Sequence, residues 1–301
     1  FVGMVLIDLQ KAFDTVDHSL LLERLKKRIG VRGKCLEWFK SYLSERTQVV
    51  SIKGTLSKSH QLKCGVPQGS VLGPKLFNIY VLPLGDIVVK HDFSYQMYAD
   101  DTSIYISFKD EQLDETAHRL QSLLHDVSSW MVSNKLKMND DKTEVLVFRS
   151  NKRKPLECQS FPIGQANIQV ASSARLLGVT LDSSMTLETH INNICKNSFF
   201  KIHNMFKIRK CLTEEAAKTM VHTLVTSKLD YCNALYVNLP KKRTDKLVRV
   251  QRTAARLITN TRKYEHITPV LQSLHWLTVC QRIHYKILLL THKALSGKAP
   301  S

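Results

Sequence analysis

The chain has 301 residues, of which 43% are hydrophobic and 23% are charged, and it contains no low-complexity tract. This composition is typical of a folded globular protein and excludes the disordered, collagen-like and coiled-coil classes. The 44 Lys and Arg residues against 26 Asp and Glu residues leave a net charge of +18, which favours a polyanionic partner. The excess is concentrated in residues 196–301, with 20 basic and 5 acidic residues. Because these charges are not packed into one short tail, nucleic acid is favoured over a membrane surface or a merely solvated face.

The seven cysteines are widely spaced, odd in number and without a Cys-x-x-Cys pair. This pattern argues against a disulfide framework and against a zinc ribbon, so we expect a reducing, intracellular location, in the nucleus or the cytoplasm. No apolar run approaches 18 residues, so we expect no membrane association. The chain begins within an apolar run, residues 1–7, without an initiator methionine, and we therefore expect a fragment of a longer protein.

In chain order, the first half alternates apolar runs with turn signals. It predicts a buried strand that ends near Asp8, helices at 19–28 and 34–43, a hairpin from 47–52 and 60–64, and a helix at 74–82. Two strands at 95–98 and 102–108 flank a tight turn, and an amphipathic helix at 113–131 and a strand at 144–148 follow.

The second half changes from strands to helices. A basic connector at 151–155 is the best candidate for a subdomain edge, and extended segments follow at 163–170 and 174–181. From residue 187 the pattern is helical, with segments near 187–209, 213–228, 240–260 and 279–296. Strands first and helices last predict an α+β fold.

Three aspartates lie where strands end. Asp8 closes the first strand, and Asp100 and Asp101 lie together in the turn between two apolar and aromatic strands. An adjacent pair of this kind in isolation is more often a solvated turn. Here no basic residue is adjacent in sequence, and two neighbouring carboxylates need a cation, so the pattern favours a site for a hard divalent ion such as Mg²⁺.

Three motifs in order carry a resemblance to a known family. Tyr-Ala-Asp-Asp at 98–101 resembles the signature turn of reverse transcriptases, residues 7–18 resemble the first catalytic motif in its LINE form, and residues 65–74 are similar to the loop and helix that contact template and nucleotide. The order and the spacing also match. The chain thus resembles a LINE-type (non-LTR) retrotransposon reverse transcriptase over nearly its whole length, without fingers or endonuclease.

The resemblance implies the metal-binding catalytic residues. Asp8, Asp100 and Asp101 would hold two Mg²⁺ ions, with Mn²⁺ as an alternative, for nucleotidyl transfer. Lys142, within the block 139–144, would protonate the pyrophosphate leaving group. A solvated loop lysine is an equally good interpretation of Lys142.

The resemblance also implies the nucleotide and primer contacts. Phe13 would be the aromatic gate that excludes a ribose 2′-hydroxyl, although an ordinary core phenylalanine has the same pattern. Gln68, Gly69 and Tyr98 would lie at the incoming nucleotide, although a plain Pro-Gln-Gly turn would also explain the first two. The segment 176–182 resembles the primer-grip hairpin, with Leu177 and Gly178 at its turn.

The basic helix near 240–260 would belong to the thumb. Seven of its residues recur at three- and four-residue spacing and would follow a phosphate backbone. A solvated helix face would be expected to intersperse acids, yet only Asp245 occurs in this stretch. The seven are Lys241, Lys242, Arg243, Lys246, Arg249, Arg252 and Arg256.

These expectations divide the chain by role. Residues 1–150 would form a polymerase palm with an antiparallel sheet backed by helices, residues 151–186 the end of the palm and the primer-grip hairpin, and residues 187–301 a basic helical thumb with a C-terminal extension. The partners would be an RNA template, a DNA primer and deoxynucleoside triphosphates. Without fingers the chain alone is expected to be weakly active or inactive. A non-catalytic nucleic-acid-binding remnant and a maturase-like or RNA-synthesising relative are the alternatives.

Overall fold

The computed structural model describes residues 1–149, 160–163 and 166–299, and the expected connector at 151–155 lies outside these ranges. The chain forms two compact units, residues 1–177 and 178–301. The boundary falls within the expected primer-grip hairpin and not at residues 150 and 186. The three-part division was drawn by role and stays a prediction.

The first unit contains five α-helices and eleven strands among its described residues. The helices are α1 (His18–Lys27), α2 (Gly33–Leu43), α3 (Gly73–Val81), α4 (Pro83–Lys90) and α5 (Leu113–Ser133). The strands are β1 (Val2–Ile7), β2 (Thr47–Gln48), β3 (Ser51–Ile52), β4 (Thr55–Leu56), β5 (His60–Gln61), β6 (Ser94–Tyr98), β7 (Asp101–Ser107), β8 (Glu144–Phe148), β9 (Ser160–Ile163), β10 (Ala166–Ala171) and β11 (Ser173–Leu176).

A six-stranded sheet in the order β6-β7-β1-β8-β10-β9 is the centre of this unit. β1 lies between β7 and β8 and is antiparallel to both, which explains why its sequence is apolar on both faces. Within residues 1–150 the strands β6, β7, β1 and β8 pair antiparallel as expected, whereas the parallel pairing of β8 with β10 was not predicted. The reason is that the chain must cross over between these two strands, a pairing that local sequence patterns do not encode.

The core of the first unit forms where α1, α3, α4 and α5 cover the sheet. Ile7 and Ile104 of the sheet are at most 2% exposed, as are Phe77 of α3 and Leu124 of α5. Helix α4 approaches β6 closely at Gly85, where a Cβ atom would overlap the ring and hydroxyl of Tyr95. Glycine is therefore needed at this point for the helix to support the strand that leads into the Asp100 turn.

The second unit begins with one strand and continues as helices. Its elements are β12 (Val179–Asp182), α6 (Glu188–Ile208), a 3₁₀ helix (Arg209–Cys211), α7 (Glu214–Val221), a π-helix (His222–Thr226), α8 (Ser227–Asp230), a second 3₁₀ helix (Asn233–Tyr236), α9 (Lys241–Thr259), α10 (Ile267–Ser273) and α11 (Val279–Leu295). Helix α9 contacts α6, α7, α10 and α11 and is the centre of the unit. Its residues Leu247, Val250 and Ala255 are at most 1% exposed.

Most predicted elements are confirmed, and strand 144–148 is confirmed to the residue. Three predictions need correction. Helices α4 and α10 were missed, the first because Pro83, which marks a helix end in sequence, occupies the first turn of a new helix. The expected continuous helix at 213–228 is interrupted by the π-helix. The expected hairpin at 47–64 consists of two short pairs, β2 with β5 and β3 with β4.

Two further findings bear on the sequence expectations. Within the described ranges, every helix is too short or too polar to cross a bilayer. The six cysteines in the described part of the chain are free thiols, and Cys158 lies outside it.

Candidate catalytic site

Asp8 is held at the end of the central strand by its neighbours on one side. The amide of Asn139 donates to the Asp8 carbonyl oxygen at 2.9 Å, and the amide of Gln10 donates to the Lys137 carbonyl oxygen at 2.9 Å. Leu9 forms a bridge with Met138 in the same segment. These contacts extend the pairing of β1 past its last residue and fix the backbone that carries the Asp8 carboxylate.

The hairpin of β6 and β7 brings Asp100 and Asp101 to the same edge. Tyr98 pairs with Asp101, so Ala99 and Asp100 form a two-residue turn in which Ala99 has a φ of 55°. The register of β1 with β7 ends with Ile7 opposite Thr102. The next pair along this register is Asp8 and Asp101, and directly opposed residues of antiparallel strands have Cβ atoms about 4.5–5.5 Å apart.

The direction of the Asp101 pKa shift agrees with the close approach of Asp8, Asp100 and Asp101. The pKa of the Asp101 carboxyl is raised, first because it loses solvent and then because the Asp100 and Asp8 carboxylates repel its charge. On the other side of Asp8, the Asn139 side chain donates to Asp8 Oδ2 at 2.9 Å, and Lys142 Nζ lies 3.7 Å from the same oxygen. Three acids thus meet at one sheet edge, and Lys142, predicted from sequence, lies beside them.

The side chains at this edge are of the kind that binds Mg²⁺, but they are not yet arranged around one point. Carboxylate oxygens are the ligands that Mg²⁺ prefers, and the repulsion that raises the Asp101 pKa is relieved by a bound cation. Across residues 1–149, 160–163 and 166–299, however, no three acidic, histidine or cysteine side chains are arranged to hold a metal ion. The three aspartates fit the ion in kind and in place, and holding it requires their side chains to turn toward one point.

Phe13 lies in a short 3₁₀ helix, Ala12–Asp14, in the segment that follows β1. It is partly buried, and its ring packs on Phe77 with centroids 4.8 Å apart. The Phe13 carbonyl oxygen accepts a hydrogen bond from the Val66 amide at 2.8 Å. The loop after β1 is therefore joined to the loop at 65–70, and both the gate and the core interpretation of Phe13 fit this position.

The loop at 65–70 packs directly on the first motif. Gly65 has a φ of 89°, and a Cβ atom there would lie 3.0 Å from the Asp14 carbonyl oxygen. The side-chain nitrogen Nε2 of Gln68 donates a hydrogen bond to Asp14 Oδ1 at 2.9 Å. Gly69 has a φ of 77° with open space around its Cα. Asp14 thus orients Gln68, and the next acid along the chain, Asp17, caps α1 by accepting a hydrogen bond from the Leu20 amide.

Tyr98 and the two predicted primer-grip residues lie at two turns of the chain. Tyr98 is 66% exposed and pairs with Asp101 at the hairpin. Leu177 and Gly178 follow β11, and their φ values of 46° and 83° suit a tight two-residue turn. This turn joins the two compact units.

The basic helix α9 divides its seven residues between two roles. Arg243 Nη2 lies 3.4 Å and Lys246 Nζ 3.8 Å from the carboxylate of Glu188 on α6, and Lys246 also donates to Asn192. Arg256 donates to the carbonyl oxygens of Arg262 and Glu265. The side chains of the other four make no hydrogen bond or ion pair with any described residue, and these four are Lys241, Lys242, Arg249 and Arg252.

Sequence reasoning missed two residues of the site. Asn139 holds Asp8 through its amide and its side chain, and Asp14 orients Gln68. The only signal for Asn139 was its place at the start of the block 139–144. For Asp14 the signal was its acidic side chain within the first motif.

Comparison with known proteins supports the resemblance. The model of the family "Reverse transcriptase (RNA-dependent DNA polymerase)" matches residues 2–181. The probable RNA-directed DNA polymerase from transposon BS of Drosophila melanogaster is 28% identical, over 94% of this chain and 32% of its own length. The RNA-directed DNA polymerase from mobile element jockey of the same species is 31% identical, over 62% of the chain and 20% of its own length. The chain thus spans a third or less of the length of these relatives.

Solved structures give a weaker likeness. The telomerase of Candida albicans, in complex with a fragment of telomeric RNA, has 12% identity and a TM-score of 0.43, over 92% of this chain and 51% of that one. The apo telomerase of Candida tropicalis, truncated from its C-terminal domain, has 15% identity and a TM-score of 0.42, over 60% and 34%. The family match covers more than half of the chain and includes Asp8, Gln68, Asp100, Asp101 and Lys142. On that match, this chain belongs to the reverse transcriptase family.

Proposed function

We propose that the chain is the palm and thumb of a retrotransposon RNA-directed DNA polymerase that extends a DNA primer on an RNA template from deoxynucleoside triphosphates, within a reducing intracellular compartment. The observation that carries the proposal is the single sheet edge at which Asp8, Asp100 and Asp101 meet, with the raised pKa of Asp101 as its electrostatic sign. The share of the relatives' length that the chain covers leaves room for further segments in the whole protein.

Two divalent ions, Mg²⁺ by the preference of the ligands and Mn²⁺ as a substitute, would supply activation of the primer 3′-hydroxyl and neutralisation of the departing pyrophosphate. The three aspartates would hold them. Asn139 donates to Asp8 and keeps that carboxylate aimed along the edge. Lys142, next to the same oxygen, would give a proton to the pyrophosphate oxygen that leaves.

The neighbouring loops would select and orient the substrates. Phe13 lies on Phe77, and its ring would exclude a 2′-hydroxyl from the nucleotide position. Gln68, held by Asp14, and the open backbone of Gly69 would approach the nucleotide and template. The four unpaired cations of α9 would grip the phosphate backbone without regard to sequence.

Primer extension on poly(rA)/oligo(dT) tests the proposal, with the chain alone and with the chain fused to an upstream fingers segment. We expect Mg²⁺-dependent extension by the fusion and a loss of about a thousandfold on Asp100→Asn, because one ligand charge is removed. Asp114→Asn, an exposed acid of the same unit, is the matched control and should extend normally. Normal extension by Asp100→Asn would refute the assignment.

One observation favours a second function. No three ligands are arranged for a metal within the described part of the chain, whereas the helical unit has a large positive charge. A nucleic-acid-binding remnant would show steep, salt-dependent binding together with no Mg²⁺-dependent nucleotide affinity. Nucleotide binding that depends on Mg²⁺ would exclude this second function.

A further inference from the structure

A polar cleft lies within the helical unit, residues 178–301, and its lining shares no residue with α9. It is bounded by α8, the 3₁₀ helix that follows it, the loop before α11, and α11 itself. Its walls are formed by Asp230, Asn233, His275, Leu277, Arg282, Tyr285 and Lys286.

One wall of the cleft carries an ion pair between Arg282 and Asp230. Arg282 Nη1 donates to Asp230 Oδ2 at 2.6 Å, and Arg282 Nε donates to the Leu277 carbonyl oxygen at 3.0 Å. The guanidinium also lies 5.9 Å from the centre of the Trp276 ring, which is 8% exposed. Since Arg282 satisfies Asp230, the only carboxylate among the lining residues, this wall offers a ligand no unpaired negative charge.

Two other groups of the cleft, the Asn233 side-chain oxygen and the Lys286 ammonium, have no partner among the described residues. Asn233 is 3% exposed, and its buried side-chain oxygen accepts no hydrogen bond within the described residues. Lys286 is half-buried, and its ammonium group makes no hydrogen bond or ion pair in the part of the chain that the structure describes. Tyr285, the preceding residue of α11, is 57% exposed and lines the same cleft. The cleft therefore offers an incoming ligand a cation beside an exposed aromatic side chain, whereas the Asn233 oxygen is too deeply buried to be reached.

We propose that this cleft binds one nucleotide of a single-stranded nucleic acid, with its phosphate on Lys286 and its base on the Tyr285 ring. The proposal rests on the nucleic-acid-binding part of the proposed function and extends it to a site that the family motifs do not contain. A free phosphate would use Lys286 alone, and an acidic peptide would leave Tyr285 without a flat partner. The charge of the unit, 20 basic against 7 acidic residues in 178–301, draws a polyanion to this surface.

The test measures the affinity of the full 301-residue chain for two fluorescent probes, a short oligo(dA) and an abasic oligomer of the same length. Lys286→Gln should weaken both probes about fivefold, because it removes a phosphate contact. Tyr285→Leu, which keeps an apolar side chain but removes the aromatic face, should weaken oligo(dA) about tenfold and change the abasic probe less than twofold. Lys293→Gln, an exposed cation on the same helix, is the matched control and should change either probe less than twofold.

Each other outcome overturns the proposal. Equal effects of Lys286→Gln and Lys293→Gln would mean that only distributed charge matters. An unchanged affinity of Tyr285→Leu for oligo(dA) would mean that the cleft binds a phosphate but no nucleotide base. Equal loss of both probes on Tyr285→Leu would indicate lost packing, which thermal melting of the variant would also report. These readouts need no primer extension, so a failure of the catalytic assignment would leave them unchanged.

Discussion

The two units of the chain contribute to the proposed function in different ways. Residues 1–177 carry 24 basic and 19 acidic residues, a net charge of +5, whereas residues 178–301 carry 20 and 7, a net charge of +13. In the first unit a few acids meet at one sheet edge, and in the second the cations are spread over several helices. Catalysis would therefore depend on the fixed geometry of a few residues, whereas affinity for a polyanion would depend on the sum of many charges.

Among the variants that separate catalytic rate from nucleic-acid affinity, the largest effect is expected at Lys142. Lys142→Gln should slow the extension rate about a hundredfold while affinity for the template stays within twofold, because the side chain would act only on the leaving group. Single-turnover extension and binding titrations measure the two quantities. Lys137→Gln, an exposed lysine in the segment that pairs with β1, should change neither. Weakened binding with an unchanged rate would show that Lys142 is a backbone contact.

A smaller and opposite effect is expected on α9. Arg249→Gln and Arg252→Gln should each weaken binding of an RNA–DNA hybrid about threefold and lower the slope of log affinity against log salt by about one, with the catalytic rate unchanged. Arg243→Gln serves as the matched variant because its guanidinium pairs with Glu188. It should leave the salt slope unchanged and destabilise the fold by less than about 1 kcal/mol. Equal salt slopes for all three variants would contradict the division of this helix into two roles.

The smallest expected effect is a gain in folding stability at the sheet edge that carries Asp8 and Asp101. The folded-state pKa of Asp101 is raised, so its ionisation in the folded chain costs stability once the pH exceeds the ordinary carboxyl pKa near ~4. Asp101→Asn should therefore raise the melting temperature at pH 7 by about 1–3 °C. The gain should grow as the pH rises through the raised pKa and vanish near pH ~4.

Thermal melting across this pH range, without divalent ions, measures the effect. A variant that is less stable than the parent at pH 7 would mean that Asp101 is a structural partner and not a repelled charge. Asp114→Asn on α5 is the control and should show no such pH-dependent gain.

The two units also differ in what the sequence could predict. In the first unit, apolar runs and turn residues predicted β1, the Asp100 hairpin and strand β8 with small errors, because these elements are specified by local patterns. The family match extends over nearly the same stretch. The parallel pairing of β8 and β10 and the Asn139 contact to Asp8 were not predictable, since both join residues far apart in the chain.

In the second unit the long helices α6, α9 and α11 were predictable, but α10 and the partners of the helix side chains were not. Helical spacing gave one basic face on α9, yet Arg243 and Lys246 turn to Glu188, a residue of α6. The π-helix at His222–Thr226 and the unpaired oxygen of Asn233 have no sequence signal, because both arise from how helices pack. Charge patterns therefore identify the class of partner, and only packing shows which cations are available to it.

Binding of Mn²⁺ to the chain, followed by electron paramagnetic resonance, tests most directly that Asp8 and the Asp100–Asp101 turn form one metal site. The account predicts that Asp8→Asn and Asp100→Asn each weaken Mn²⁺ binding at least tenfold, and that the double variant is little worse than either one. Binding by Asp8→Asn as tight as that of the parent chain would contradict it, because the central strand would then contribute nothing to the ion.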